Sequence, residues 1–233
     1  MRVFAISDLH LSTTTNKPMD IFGDGWVNHF EKIKEDWLSK VTKNDLVLIA
    51  GDISWGMTME EAKGDLDLLG TLPGQKVIIK GNHEYWWHAI SRVREILPKD
   101  MYALQNDTMR FGNILLCGTR GWTAPEPGRA LKAEDEKLYK REVERLKLTL
   151  AAMQKERKED DIVICMMHYP PFTEKNDGSL FSELIEEYRV NICVYGHIHT
   201  KFTRGKNLYL EHGGVKYYQT SCDQVDFKLV EIG

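Results

Sequence analysis

The chain has 233 residues but no cysteine motif: its four cysteines, Cys117, Cys165, Cys193 and Cys222, lie far apart. A Cys-x-x-Cys pair for zinc or disulfide chemistry is missing, and a chain this long buries a core without disulfide staples. Cys117, Cys165 and Cys193 each sit in an apolar, strand-like run, where cysteine acts as a small buried hydrophobe. Reduced thiols in a cytoplasmic protein are therefore expected. Long hydrophobic runs are missing too. The longest, Leu46 to Ala50 and Ile162 to Met167, fall far short of the roughly 20 residues a membrane helix needs. The opening, Met1-Arg2-Val3-Phe4-Ala5-Ile6, reaches Asp8 almost at once, so no secretory leader is expected. Neither charge sign dominates: 31 basic against 35 acidic residues gives −4. That balance excludes a strongly basic nucleic-acid binder, although a local basic groove stays open. Linkers rich in Pro, Gly or Ser, internal repeats and low-complexity tracts are also absent. With 42% hydrophobic and 28% charged residues the composition is globular. One domain over 1–233 is expected.

What is present is an alternation of short β-branched runs with helical stretches. Strands are predicted at Val3–Ser7, Asp45–Ala50, Lys76–Lys80, Ile114–Gly118, Asp161–Met167 and Asn191–Tyr195. Their near-continuous hydrophobicity implies cover on both faces. Trp26, Phe30, Ile33 and Trp37 recur at helical spacing and predict a helix over Gly25 to Lys40, with Trp26 and Trp37 in the core. Met59 to Leu69 and Tyr85 to Leu97 also read as helices, the latter ended by Pro98. Leu131 to Lys158 reads as one long helix, with a narrow seam of Tyr139, Val143, Leu146, Leu150 and Met153. Such a seam either packs on the sheet or serves as a dimerisation or capping element. Near the end, Lys206 to Glu211 and Val215 to Thr220 flank His212-Gly213-Gly214 as an antiparallel hairpin, and a last strand is predicted at Val225 to Ile232. The fold class is α/β, with mixed sheets.

The chemistry lies in the loops that follow the strands. Asp8-Leu9-His10 follows the first and Gly51-Asp52 the second. Gly81-Asn82-His83-Glu84 follows the third, His168 the fifth, and Gly196-His197-Ile198-His199 the sixth. In an open α/β sheet the carboxyl ends of the strands line the ligand crevice. Asp-x-His or His-x-His alone is a weak signal, and a lone polar residue at a strand end is usually a turn former. Here five of the eight histidines, His10, His83, His168, His197 and His199, fall at such ends, whereas structural histidines would scatter. Carboxylate, imidazole and Asn carbonyl donors without a thiolate suit Mn, Fe or Zn. Seven donors, Asp8, His10, Asp52, Asn82, His168, His197 and His199, are too many for one ion and suit two divalent metal ions. Two ions about 3.5–4 Å apart clamp the attacking and leaving oxygens of an in-line displacement and acidify a bridging water.

This ordered set resembles the calcineurin-like metallophosphoesterases from Asp8 to His199. The resemblance implies a four-layer α/β/β/α metallophosphoesterase sandwich. It also implies a metal-dependent phosphohydrolase that cleaves a phosphate mono- or diester with a metal-bridging hydroxide. The first ion would be held by Asp8, His10, Asp52 and His199, and the second by the shared Asp52 with Asn82, His168 and His197. His83 would be catalytic, stabilising the transferring phosphoryl group or protonating the leaving oxygen; the alternative is a residue that orients Asn82 or Asp52. One departure stands out. Gly-Asp-x-x-Asp-Arg is usual in the family after the shared aspartate, whereas this chain has Gly51-Asp52-Ile53-Ser54-Trp55-Gly56.

Residues that would read a substrate are less marked. Trp55, Trp86, Trp87 and Trp122 lie close to the motifs and either rim a cleft or pack in the core. Arg120, in a Gly-flanked loop, is either an anion clamp or a surface residue. The loop from Leu11 to Asp24 is long enough to act as a lid or to be merely mobile. His29, His88 and His212 stand outside any motif. A small or medium-sized phosphate ester is the expected partner, with no membrane. Lys201, Arg204 and Lys206 form a small basic group near His199, so a nuclease of the same fold stays open, as do a protein phosphatase and a non-catalytic scaffold.

Overall fold

A computed structural model describes residues 1–200, 205 and 208–233. The basic group Lys201, Arg204 and Lys206 lies outside the described residues. A five-stranded sheet has the order β11-β1-β2-β3-β4, built from β1 (Val3–Ile6), β2 (Leu46–Ile49), β3 (Gln75–Ile78), β4 (Met101–Ala103) and β11 (Val230–Ile232). Its four inner-sequence strands run parallel and β11 runs antiparallel to β1. A six-stranded sheet has the order β5-β6-β7-β8-β10-β9, from β5 (Thr108–Phe111), β6 (Ile114–Thr119), β7 (Ile162–Met167), β8 (Ile192–Tyr195), β9 (Tyr209–His212) and β10 (Val215–Gln219). Here β6, β7, β8 and β10 are parallel, with antiparallel partners β5 and β9 at the edges.

Side chains alternate across a strand, so each sheet has two faces to cover. Val3, Ala5, Leu46, Leu48 and Val77 of the first sheet pack against Leu116, Ile164, Met166, Ile192 and Val194 of the second. Their neighbours Phe4, Ile6, Val47, Ile49 and Ile78 face the other way, onto α1 (His29–Lys40), α2 (Met59–Gly70) and α3 (Ile90–Ile96). On the far side, Cys117, Val163, Cys165, Cys193 and Tyr217 meet α4 (Ala133–Glu156) and α5 (Leu180–Glu187). The layering is α/β/β/α, as the resemblance to the metallophosphoesterases implies. The seam of α4 packs on the second sheet: Tyr139, Val143, Leu146, Leu150 and Met153 are all buried there. At about 1.5–3 kcal/mol per buried large apolar side chain, that stripe anchors the helix. Glu134, Asp135 and Glu136 in its first turn and Lys155 in its last complement the helix dipole.

Several boundaries differ from expectation for identifiable reasons. The helix predicted from Gly25 starts only at His29, because Asn28 takes a left-handed conformation (φ 51°) after a 3-10 turn at Asp24–Trp26. The one predicted from Tyr85 starts at Ile90, because Glu84 is tied to other loops and Trp86 and Trp87 are drawn into the core beside α3. The last strand shrinks to Val230–Ile232; Val225 to Phe227 form turns instead, with Asp226 and Phe227 at positive φ. Helix α5, which the sequence reading misses, carries a legible signal in Ser179, which caps it and accepts from Phe181 N at 3.1 Å. The hairpin forms, but His212, expected in the turn, ends β9, and positions 206 and 207 of its predicted first strand lie outside the described residues. Gly213 and Gly214 link His212 to Val215 with φ of 55° and 78°, the two positive values a type I′ turn demands.

The two sheets are joined at the carboxyl ends of their strands. Ser7, just after β1, donates its N–H to Thr220 O and accepts from Cys222 N, which ties the first sheet to the segment after β10. All the motif loops therefore emerge at one edge.

Candidate metal centre

Each motif residue owes its place to a strand end and to a backbone that turns sharply there. Asp8, His10, Asp52 and His197 all adopt positive φ, at 59°, 46°, 51° and 71°. Non-glycine residues in this region are strained, and such strain persists where the surroundings over-determine it. The loops hold one another: Asp8 N donates to Gly51 O at 2.9 Å, His10 N to Asp52 O at 3.0 Å, and His197 N to Asp8 Oδ2 at 3.0 Å.

The side chains converge in two groups, Asp8 with His10 and His199, and Asp52 with His168 and His197, each offering donor atoms within 4.8 Å of one another. Asp52 lies between them. Its Oδ2 is 3.4 Å from His168 Nε2, 3.8 Å from His10 Nε2 and 4.0 Å from His83 Nε2. Asn82 Oδ1 completes the second group, 2.7 Å from His168 Nε2 and 2.8 Å from His197 Nδ1. In the first group His199 Nε2 is 3.3 Å from Asp8 Oδ1. All seven sequence-predicted donors are thus brought together, and His83 stands at their rim with its side chain 35% exposed. His29 instead bonds Leu9 O, His212 pairs with Glu186, and His88 is exposed.

These residues fit a pair of divalent ions on three counts. The donors are oxygen and nitrogen only, a set suited to borderline or hard cations. His10 Nδ1 is buried without a hydrogen-bond partner. Finally, glycines clear the space: a Cβ on Gly81 would stand 2.1 Å from Asp52 Oδ1, one on Gly51 2.6 Å from His168 Nδ1, and one on Gly196 2.5 Å from Asp8 Oδ2. The Gly that precedes each of Asp52, Asn82 and His197 in sequence is therefore a steric requirement of the cluster.

Electrostatics agree. Burial would raise the Asp8 carboxyl, but His199, His168 and His10 hold it below the usual carboxylate range. Against the same burial, His168 brings Asp52 down to about 2. Burial lowers His10 to about 4, and burial with the charge of His168 takes His197 to about 4. Burial would also lower His168 and His199, yet Asp52 lifts the first to about 9 and Asp8 with Asp223 lifts the second to about 10. Two buried carboxylates thus demand nearby positive charge, which divalent ions would supply.

Supporting residues that sequence reasoning missed explain the unusual loop after Asp52. The buried Glu84 carboxylate accepts from Asp52 N (3.0 Å), Ser54 N (3.4 Å), Ile53 N and Gly81 N. Burial and the Asp52 charge push Glu84 up to about 7, against those N–H donors. Buried Asp65 accepts from Ser54 Oγ and from Thr13 N (2.9 Å). These two carboxylates brace the loop in place of the absent Asp-Arg pair. Asp223 sits 2.8 Å from His199 Nδ1 and so aims Nε2 at Asp8. The position of Glu84, next to His83, was a visible signal; nothing local marks Asp65 or Asp223.

Of the four tryptophans near the motifs, Trp55 meets the donor cluster. Trp55 stacks on His10 with centroids 4.8 Å apart and packs on His83 at 4.6 Å. Trp86 and Trp87 are core residues. Trp122 lies 5.1 Å from Tyr169, whose ring is 4.1 Å from that of His197. Trp26 is in the core, as predicted, but also 6.0 Å from His199. Arg120 lies over Trp122 at 4.8 Å and 3.8 Å from buried Glu142, so its guanidinium is held within the protein. The Leu11–Asp24 loop is tied down rather than free: Thr13 bonds Asp65, Thr14 bonds Glu61 O, and Met19 is buried. All four cysteines are buried and free. Among the described residues no helix is long and apolar enough to cross a membrane.

The Calcineurin-like phosphoesterase family model matches residues 1–201. The Gene 66 protein of Mycobacterium phage L5 is 37% identical over 81 residues, which is 34% of this chain and 37% of that protein. The chain thus spans well under two thirds of that relative's length. The crystal structure of a protein of unknown function from Aquifex aeolicus superposes with a TM-score of 0.50 at 14% identity, covering 99% of this chain and 95% of the other. That likeness concerns the fold alone.

Proposed function

The chain belongs to the calcineurin-like phosphoesterase family, and from that premise we propose that it hydrolyses a phosphate mono- or diester at a dinuclear divalent-metal centre. The observation that carries this reading is the place of Asp52, whose Oδ2 faces His10 of one donor group and His168 of the other. In this proposal Asp8, His10, Asp52 and His199 hold the first ion, and Asp52, Asn82, His168 and His197 the second. Mn, Fe or Zn suits these donors. When bound, the ions supply Lewis acidity toward the phosphoryl oxygens and acidify water to a nucleophile.

The protein's own residues do the rest. Asp52 neutralises charge between the two donor groups, and its Oδ1 accepts from His83 N at 2.8 Å. That bond and the Trp55 face fix the His83 ring at the rim, where Nε2 gives a proton to the leaving oxygen or holds the phosphoryl group. Asp223 fixes the orientation of His199, and the Ala50 carbonyl, 2.9 Å from His168 Nδ1, fixes that of His168. The substrate in this reading is a small or medium-sized ester, and a net charge of −4 gives no general attraction to a nucleic-acid backbone. Four buried free thiols accord with a reducing, cytoplasmic setting, which is part of the same proposal.

The test is hydrolysis of an aryl phosphate monoester and an aryl phosphate diester after metal is stripped and Mn, Zn or Mg is added back. Metal-dependent turnover of either supports the proposal, and the preferred ester assigns the class. His83→Ala is expected to cut turnover about 10²–10⁴-fold with metal content unchanged. Absence of turnover in protein carrying two ions would refute the enzymatic reading.

A further inference from the structure

Arg120 follows β6 at the same edge as the donors, and its carbonyl accepts the N–H groups of His168 at 3.1 Å and Tyr169 at 3.0 Å. Its guanidinium lies 4.8 Å over the Trp122 ring, which is 5.1 Å from that of Tyr169, itself 4.1 Å from that of His197. The side chain is only 20% exposed, yet it donates no hydrogen bond among the described residues. Its nitrogens are not sealed away as His10 Nδ1 is, so a ligand in solvent can reach them. A largely covered guanidinium has five N–H donors and no acceptor capacity, and leaving those donors unpaired is costly.

No neighbouring carboxylate serves it. Glu142 is 3.8 Å away, and its oxygens are taken at 2.7 Å by Arg145 and at 2.9 Å by the Thr119 hydroxyl, with Arg141 at 3.5 Å. Asp135 accepts from Trp122 Nε1 at 3.3 Å, and Glu84 is held by backbone N–H groups. Lys80, two residues before Asn82, is a second half-buried cation; it donates to Trp87 O at 2.9 Å and makes no other hydrogen bond among the described residues. Burial and the like charge of Arg120 hold its ammonium below the usual lysine range, so the two cations face one another closely enough to repel. Two donor-only cations select an occupant made of acceptors. The pair suits the nearly two negative charges of a phosphate better than the single charge of a carboxylate, and a neutral group leaves the repulsion in place.

We propose that Arg120 and Lys80 form a subsite for a second phosphate of the substrate, so that the protein acts on a bisphosphate, hydrolysing one group while the other is held here. The proposal rests on the phosphoesterase reading for the first phosphate. Because the rings of Tyr169 and Trp122 intervene between His197 and the guanidinium, the two phosphates are joined by a carbon spacer rather than directly as a pyrophosphate.

The experiment compares turnover of hexyl phosphate, phosphonooxyhexanoate and hexanediol bisphosphate by the full-length protein with Mn bound. Equilibrium binding of the uncleavable hexylphosphonate and hexane bisphosphonate to the same protein is the second readout. The bisphosphate is expected to have a kcat/KM at least tenfold above the other two, with the gain in KM, and the bisphosphonate to bind at least tenfold more tightly. Arg120→Gln and Lys80→Gln should each reduce that preference by about tenfold, the worth of one charge-assisted hydrogen bond. Lys80→Gln informs even where Arg120→Gln disturbs folding. No preference for the bisphosphate, an equal preference for the carboxylate compound, or equal losses on all compounds in both variants overturns the proposal. Turnover of hexyl phosphate without a bisphosphate preference would refute the subsite and leave the phosphoesterase reading intact. Bisphosphonate binding that both variants weaken, in Mn-loaded protein without turnover, would refute that reading and keep the anion subsite.

Discussion

Gly81→Ala is the substitution with the most specific consequence. Gly81 has an ordinary backbone φ, so an added methyl acts through space alone. That methyl would meet Asp52 Oδ1 at 2.1 Å and Asp52 N at 2.5 Å, where normal contacts begin near 3.4 Å. Relief requires the Asp52 loop to move by more than an ångström. Such a shift breaks the bond from His83 N to Asp52 Oδ1 and loosens the grip of Glu84 on Asp52 N. Overpacking costs about 1–3 kcal/mol and a lost charge-assisted hydrogen bond about 1.5–3 kcal/mol, so a loss of about 2.5–6 kcal/mol is expected. Against a typical stability of about 5–15 kcal/mol, the variant should still fold, but marginally. Urea unfolding of the metal-free protein reads the first effect, and elemental analysis of purified protein reads displacement of the shared carboxylate as lost metal. Gly178→Ala is the control, because its new methyl would touch only Ser182 Oγ at 3.4 Å. A Gly81→Ala protein as stable as the control and carrying two ions would refute the argument that glycine is there to make room for Asp52.

Three further outcomes follow from the same geometry. Asp52→Asn should lower the content of both metal ions together, since the carboxylate faces both donor groups, and retention of two ions in elemental analysis would rule out a shared ligand. Glu84→Gln replaces one of two oxygens that each accept backbone N–H groups, and should cost about 2–4 kcal/mol in urea unfolding; a change under about 0.5 kcal/mol would mean the brace is dispensable. Asp161 is held at about 2, below its ordinary 3.8, by Arg110 and by Lys158 N. A depressed carboxyl adds stability above pH 3.8 that is lost as pH falls toward 2, so Asp161→Asn should flatten the stability curve across that interval, and an unchanged slope there would contradict the pairing.

The strands were legible because short, near-continuous apolar runs imply cover on both faces, whereas the four layers followed from the family resemblance. Val3 to Ile6, Leu46 to Ile49 and Ile162 to Met167 declare themselves as strands by composition, and the α4 seam by its spacing. The donors were legible because each follows such a strand directly, so locating the strands locates the donors. Boundaries set by remote contacts were not. Tyr85 to Ala89 has helical residues, yet the hydrogen bonds of Glu84 and the burial of Trp86 and Trp87 hold it out of the helix. Similarly, Val225 to Phe227 has strand residues that turn back onto Ser221 and Cys222.

By itself, then, the sequence determined which side chains stand at which strand ends, and with them the kind of chemistry available. That follows from local rules, namely the period of a strand, the turn after it and the coordination preferences of Asp, Asn and His. Only the tertiary structure decided that Asp52 lies between the two donor groups, that Glu84 and Asp65 brace its loop, and that Asp223 aims His199. It alone decided as well which tryptophans meet the site. Each of these depends on segments far apart in the chain meeting at one edge of two packed sheets, and no local pattern encodes such a meeting.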